Sequence, residues 1–578
     1  MKSFVVVNPP LLFPPYQQSS GKSAAVACAD ERCTRIGLDA VRKGGNAADA
    51  MVATQLCLGV VGMCVYPQFR YFANAVFEAM WLTGIGGGGF VLIRSPKRKY
   101  EFVDFRETAP AAAFEEMYST NIESSLYGGL ASGIPGELRG LEWLHNSYGR
   151  LPWAELVYPS VDLASNGFVV TTDLGMNMNR LGPHSFLSED PNWAVDFAPN
   201  GTLLVVGDIM TRKRYGLFLR QIAEGGAAAF YDGTIANNII DALQSANGTM
   251  ALEDFKDYTV KVRDPAEITY RGFRIVTCSA PSSGVVVLSV FKTVEGYAEF
   301  GSEATLNLDI HRLDEAIRFG YGARAYLGDP SFFSNLTQYQ RDMISEETGG
   351  TIKNKIFDAH TLPVDAYNPE GLESLETPGT SHVVTADGSG LTLSLTSTIN
   401  LVFGSQLMVP ELGLIMNNEM NDFSVPGKSN AFGYLPSPSN FIAPGKRPLS
   451  SMVPTIVEYL NNGTLYFAVG AAGGSRIITA VIQALFNVLD RGMVLTEALN
   501  ASRFHDQLSP NQMFFEYSYN NDTTASMQLK GHNVSWFGDL RWADFRWSSI
   551  AEAVGRDAEG TFQAVADPRS SNGGGLAL

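Results

Sequence analysis

The strongest constraint on what this chain can fold into is a change of hydrophobic period close to residue 379. Upstream, between about residues 130 and 367, apolar side chains recur at helical intervals, as in segments 141–145, 157–164 and 311–326. Downstream the period becomes two. Leu391, Leu393 and Leu395 alternate with Thr392, Ser394 and Thr396, and the turn at residues 387–390 joins this run to residues 383–386 as a hairpin. A second hairpin, 453–460 with 465–469, turns at Asn461–Asn462–Gly463. Residues 476–491 then read as a helix capped by Ser475 and closed by Gly492. Helices followed by paired strands predict an α+β or layered body, with residues 391–398 as a half-buried strand.

Composition narrows the function. At 578 residues with 45% hydrophobic and 17% charged residues, the chain can bury a large core without metal or disulfide staples. The 59 acidic residues outnumber 42 basic ones, a formal charge of −17, and no basic patch of the kind that holds nucleic acid runs along the chain. The residues Gly21–Lys22–Ser23 resemble the end of a P-loop, but Tyr16 occupies the position that requires glycine. The seven histidines form no metal-binding pair, the cysteines form no C-x-x-C motif, and no cofactor or metal is implied.

The helix predicted over residues 31–43 stops at Gly44–Gly45, and Asn46 caps the next, 47–60. Cys33 and Cys57 lie on these successive helices, where an antiparallel hairpin would bring them together; two buried free thiols are the alternative. The uncharged run 50–69 reads as a buried helix plus a loop, not a membrane span. Seven N-x-S/T sequons, at Asn200, Asn247, Asn335, Asn462, Asn500, Asn521 and Asn533, lean toward the secretory pathway. The apolar run after Met1–Lys2–Ser3 is interrupted by Pro9, Pro10, Pro14 and Pro15, so residues 1–18 make a poor signal segment.

One ordered set of short motifs is specific. It comprises Gly-Ile-Gly-Gly-Gly-Gly-Phe at 84–90, Arg-Glu-Thr-Ala-Pro at 106–110 and Gly-Ile-Pro-Gly-Glu at 133–137. Thr-Ser-His at 380–382, Thr-Ile-Asn at 398–400, Asn-Glu-Met-Asn-Asp at 418–422 and the glycine-rich run 470–475 complete it. With these motifs the chain resembles the γ-glutamyltransferase (glutathione hydrolase) family over nearly its whole length. The resemblance implies an N-terminal-nucleophile hydrolase with a four-layer αββα sandwich. It would be made as one precursor and cut once, at Gly379–Thr380, into a large subunit, 1–379, and a small catalytic subunit, 380–578.

The roles implied are chemically coherent. Thr380 would cut the backbone before it, and its freed α-amine, with a reference pKa of about 7.7–8.0, would serve as base for its own hydroxyl. Thr398 would support that hydroxyl, and the Gly473 and Gly474 amides would form an oxyanion hole. Arg106 would clasp the substrate α-carboxylate with its planar fork, helped by Ser450 and Ser451. Asn400, Glu419 and Asp422 would hold the α-ammonium, the two acids sharing one face of a helical turn. Substrates would be glutathione and other γ-glutamyl compounds, with water, amino acids or dipeptides as acceptors. The Cys33–Cys57 pair resembles a disulfide of secreted eukaryotic relatives, which favours an extracellular or membrane-anchored protein.

Two departures stand out. Residues 63–83 carry Tyr66, Phe69, Tyr71, Phe72, Phe77 and Trp81 where relatives have a short linker; this reads either as an insertion or as translated intron. They keep open a second reading, an unprocessed and inactive secreted glycoprotein. A family acylase for another amide is a third, disfavoured by Arg106 with Glu419 and Asp422, which suit an amino-acid head group. The other departure is the weak signal segment at residues 1–18, where eukaryotic relatives carry a signal peptide or anchor.

Overall fold

A computed structural model describes residues 20–62, 83–373, 375, 379–428, 433, 435–537 and 549–578. Among them, two seven-stranded antiparallel sheets lie face to face. The first runs Gly574–Ala577, Ala24–Cys28, Ser381–Asp387, Thr392–Thr398, Gly88–Arg94, Tyr100–Asp104, Lys261–Arg263. The second runs Ser20–Gly21, Phe562–Ala566, Ile550–Arg556, Leu465–Ala472, Thr455–Tyr459, Phe273–Thr277, Ala266–Tyr270. Helices Glu31–Arg42, Ala47–Val61 and Glu137–Tyr148 cover the outer face of the first sheet, and Gly284–Val294 and Ile477–Leu489 that of the second. This is the four-layer αββα sandwich.

Layering explains where the sequence reading errs. The strand Thr392–Thr398 is buried along its whole length, not half-buried. Leu393 and Leu395 pack into the helix-side core with Met51 and Leu56. The small polar residues of the other face meet the second sheet, where Ser394 Oγ donates to the Val469 carbonyl at 3.2 Å. Both faces are therefore covered, and the alternation separates large apolar from small polar side chains, not dry from wet ones. His382 fills part of the same intersheet layer, its Nδ1 2.8 Å from Thr396 Oγ1. Burial pulls its pKa down to about 3, so it stays neutral.

Other boundaries also differ. Two two-residue strands, Phe168–Val169 and Ile209–Met210, and three longer ones, Lys261–Arg263, Ala266–Tyr270 and Phe273–Thr277, interrupt the region read as helical. The longer three are still short; Ala266–Tyr270 alternates, with Ile268 and Tyr270 buried and Glu267 and Thr269 exposed, but over only five residues. Ser475 is not a helix cap: it lies in a 3₁₀ turn, Gly474–Arg476, that precedes the helix Ile477–Leu489, which ends before Gly492. The helix Ala47–Val61 is as expected, buried throughout and started by an Asn46–Asp49 capping box. The aromatic-rich stretch is described only at Thr83, the remainder lying outside the described residues, as do residues 1–18. No helix among the described residues is long and apolar enough to cross a membrane.

Cys33 and Cys57 are joined, with Cα atoms 5.3 Å apart, so the free-thiol alternative falls. The bond closes a separation of 24 residues, for which chain entropy gives a stabilisation of about 3.5 kcal/mol. Cys57→Ala is therefore expected to lower the urea unfolding midpoint by a corresponding amount; an unchanged midpoint would show that the helix hairpin is held by packing alone.

Strands from either side of residue 379 interleave in both sheets, and Ala24–Cys28 is flanked by Ser381–Asp387 and Gly574–Ala577. A buried polar cluster adds to this stitching. His311 Nε2 meets the Phe357 carbonyl and its Nδ1 meets His532 Nε2, each at 2.8 Å. Two groups here, His311 with Glu315 and His532, and Asp314 with Asp506 and His532, are compact enough to hold an ion. Protein partners already engage much of the cluster: Glu315 accepts from Thr361 and Tyr367, and Asp506 pairs with Arg318 at 2.7 Å.

Candidate active site

The site forms where the central strands of both sheets end. Thr380 leads into Ser381–Asp387, whose pairing sets Ser381 opposite Ser397 and so brings Thr398 level with Thr380. Thr398 Oγ1 accepts from the Asn400 amide at 2.7 Å and donates to the Gly379 carbonyl at 3.1 Å. Gly379 has φ +86°, a left-handed conformation that costs a side chain dearly and turns its carbonyl toward Thr398. On the facing sheet, Leu465–Ala472 runs out at Gly473, whose N–H donates to Thr380 Oγ1 at 2.8 Å. The Thr380 hydroxyl thus accepts a backbone hydrogen bond and keeps its own proton to give away.

The glycine run 84–89 supports this strand end from behind. It turns at Gly84–Gly87 and enters the strand Gly88–Arg94. A Cβ on Gly87 would lie 1.9 Å from the Thr398 carbonyl oxygen, so only glycine allows the two backbones to close. Asn417 then ties three motifs together. Its Nδ2 donates to the Gly86 and Gly133 carbonyls at 2.7 and 2.8 Å, and its Oδ1 accepts from the Gly133 and Glu419 amides.

Glu419–Asp422 is a 3₁₀ turn, in which residues three apart eclipse, so both acids point the same way. They meet Arg106, which pairs with Glu419 through Nη1 and with Asp422 Oδ2 through Nη2 at 2.6 Å. All three are buried. Burial pushes the Glu419 carboxyl well above its usual range and raises Asp422 too, with Arg106 opposing both shifts. Burial draws the Arg106 guanidinium down, but Glu419 and Asp422 more than offset it. Beside them Glu107 is pushed up to about 8 by burial, against the pull of Arg106. Glu137, beneath the strand end, rises to about 7 for the same reason while accepting from Ser397 Oγ at 2.6 Å.

The cavity at this junction holds about 200 Å³ of empty space, its mouth included. Arg106, Gly379, Thr380, Thr398, Asn400, Glu419, Asp422, Ser450, Ser451 and Gly474 line it, and Gly473 adjoins through its bond to Thr380. The structure therefore gathers every residue singled out for chemistry, from segments more than 300 positions apart. A larger cleft, about 980 Å³ of empty space with its mouth likewise included, is lined by Asp190, Trp193, Asp241 and Glu411 among others and shares no residue with it. Sequence reasoning missed Arg324, whose guanidinium reaches Ser451 and Ser283, and Asn418, whose carbonyl accepts from Asn400 Nδ2 at 3.1 Å. Arg324 ends a helix of ordinary pattern, and nothing local marks it. Asn418 had a signal, its place at the head of the motif 418–422, but no role was assigned to it.

The γ-glutamyltranspeptidase family model matches residues 33–67 and 70–577. The chain belongs to the γ-glutamyltranspeptidase family. It is 50% identical to a glutathione hydrolase proenzyme of Arthroderma benhamiae, over 98% of this chain and 94% of the relative. It is 33% identical to the glutathione hydrolase proenzyme of Escherichia coli K12, over 95% and 91%. Among solved structures, a cephalosporin acylase from Bacillus halodurans superposes with a TM-score of 0.81 at 23% identity, covering 99% of this chain and all of that one, a likeness of fold. Helicobacter pylori γ-glutamyltranspeptidase gives a TM-score of 0.50 at 28% identity, over 58% of this chain and 91% of that one. The family match breaks inside the aromatic-rich stretch, at residues 68 and 69.

Proposed function

We propose that this protein is a self-processing glutathione hydrolase and γ-glutamyltransferase with Thr380 as nucleophile. The observation that carries the reading is the pair of contacts on either side of one peptide bond: Gly473 N–H on Thr380 Oγ1 and Thr398 Oγ1 on the Gly379 carbonyl. They hold the attacking oxygen and polarise the carbonyl it attacks. In the first reaction Thr380 Oγ adds to the Gly379 carbonyl carbon, the C–N bond breaks, and the hydroxyl proton passes to the departing nitrogen. Water then hydrolyses the ester, leaving Gly379 as a carboxylate and Thr380 with a free amine. Residues 1–379 and 380–578 become the large and small subunits, kept together by the interleaved sheets.

In turnover the amine takes the Thr380 hydroxyl proton and Oγ attacks the γ-carbonyl of the substrate. The Gly473 and Gly474 amides meet the oxyanion, and the proton goes on to the leaving amine. A γ-glutamyl ester on Thr380 remains, and water or the amine of an amino acid or dipeptide releases it.

Head-group binding follows from charge. Arg106 pairs with both Glu419 and Asp422, one cation set against two acids. A γ-glutamyl zwitterion exchanges this pairing for two: its α-carboxylate takes the Arg106 fork, with Ser450 and Ser451, and its α-ammonium takes Glu419, Asp422 and Asn400. An amide lacking either charge would leave a buried group unpaired, which disfavours an acylase for other substrates. The buried disulfide and the sequons support action in an oxidising, secretory compartment.

The test is a γ-glutamyl anilide assay and N-terminal sequencing of the smaller fragment of one purified sample. A fragment beginning Thr380–Ser381–His382 with anilide turnover is expected. An active, uncut chain would overturn the mechanism, and an uncut, inactive one would favour the non-enzymatic glycoprotein.

A further inference from the structure

We propose that Arg324 is a positioning residue for γ-glutamyl recognition, setting the Ser451 hydroxyl as a donor toward the substrate carboxylate and holding the backbone at Ser450 through Ser283; this rests on the function proposed above. Arg324 ends the helix Leu306–Arg324 and is buried, 2% exposed. Its Nη2 donates to Ser451 Oγ at 3.0 Å and its Nε to Ser283 Oγ at 2.9 Å. Ser283 Oγ in turn donates to the Ser450 carbonyl at 2.5 Å. One guanidinium thus holds the backbone at Ser450 and the side chain at Ser451.

The consequence lies in hydrogen-bond polarity. A guanidinium only donates, and a hydroxyl has one proton and two lone pairs. With Arg324 on a lone pair of Ser451 Oγ, the hydroxyl proton is left to point elsewhere, and the residue lines the cavity beside Arg106 and Asp422. Ser450 has the same polarity, because its Oγ accepts from the Met452 amide at 3.2 Å. Two hydroxyls committed as acceptors on the protein side become donors on the ligand side, and an acceptor-only carboxylate is the group they suit. Arg324 also places a second cation behind them: burial draws its pKa down, with Asp422 supporting and Arg106 opposing its charge. The carboxylate end of the site is therefore built from one arginine in contact with the ligand and one acting through serine. A purely structural Arg324 would only anchor its helix to the segment around residues 448–452.

The full chain, self-processed, distinguishes these. γ-Glutamyl anilide is compared with 4-aminobutyryl anilide, which keeps the amine and lacks the α-carboxylate. Arg324→Gln is expected to raise KM for the γ-glutamyl anilide by roughly 10–100-fold, the range of a lost hydrogen bond to a charged group, with kcat within about 3-fold. The preference for the carboxylate-bearing substrate should shrink by the same factor. Ser451→Ala added to Arg324→Gln should cost little more than either alone, because both changes remove one device. Arg324→Lys, which retains a cation, should recover part of the preference, and it keeps the test alive if the glutamine variant does not fold. Equal losses on both anilides, or fully additive effects of the two changes, would overturn the proposal. A wild-type chain that neither cuts itself nor turns over the γ-glutamyl anilide would overturn the parent reading, a result visible before any variant is made.

Discussion

Thr380→Ala is expected to leave one uncut chain of 62.6 kDa and to abolish turnover of γ-glutamyl anilide, by at least about 10³-fold. The change removes a hydroxyl and a methyl at a buried position, together with the bond from the Gly473 amide. That bond is worth on the order of 1 kcal/mol, too little to unfold a chain whose sheets are paired on both sides of the site. The protein should therefore be folded, uncut and inert, which circular dichroism, a denaturing gel and the anilide assay read separately. Thr380→Ser keeps the oxygen and should cut and turn over at reduced rates. Undiminished activity in the alanine variant would remove Thr380 from the mechanism, and cleavage without Thr380 would point to another protease.

The second large effect concerns Arg106. Replacing it by Met should lower kcat/KM for γ-glutamyl anilide by about 10²–10³-fold or more, the scale of breaking a buried ion pair by 3–5 kcal/mol. Two causes add. The α-carboxylate loses its fork, and Glu419 with Asp422 loses the cation that makes their burial tolerable. Arg106→Lys should fall well short of rescue, because one ammonium cannot bridge both acids with the fork geometry. Global charge should matter far less. The chain carries −17 and glutathione is anionic, but at physiological salt that field decays over about 8 Å. Raising salt from about 50 to about 500 mM is thus expected to change kcat/KM of the intact enzyme by less than about 3-fold. A large salt effect with Arg106 in place would mean that steering, not this contact, governs binding.

Legibility followed the range of the physics. The helix Ala47–Val61 was readable because its cap, composition and stop are local. The strand Phe273–Thr277 was not, because one of its edges pairs with Thr455–Tyr459, nearly 200 residues on; Ala266–Tyr270 pairs only with Phe273–Thr277 across the turn at Arg271–Gly272, a local hairpin too short to stand out beside the surrounding helices. The half-buried reading of Thr392–Thr398 failed for a related reason: a second sheet covers the face that local alternation marks as polar. Arg324 was illegible because its partners, Ser283 and Ser451, are distant in the chain and each is unremarkable alone.

By itself the amino-acid sequence determined which kind of residue is available for each chemical role. It supplies a hydroxyl after a glycine at 379–380, an arginine at 106, two acids three apart, and paired glycines before a helix. Those are properties of composition and short spacing, which need no tertiary contact to be seen. Only the tertiary structure decided that Arg106 rests on Glu419 and Asp422, that the Gly473 amide meets the Thr380 hydroxyl, and that Ser451 and Ser450 accept from Arg324 and the Met452 amide. Such relations arise where two sheets stack and several loops converge. Hydrogen-bond direction and ion pairing there depend on distances of a few ångströms that sequence separation does not encode.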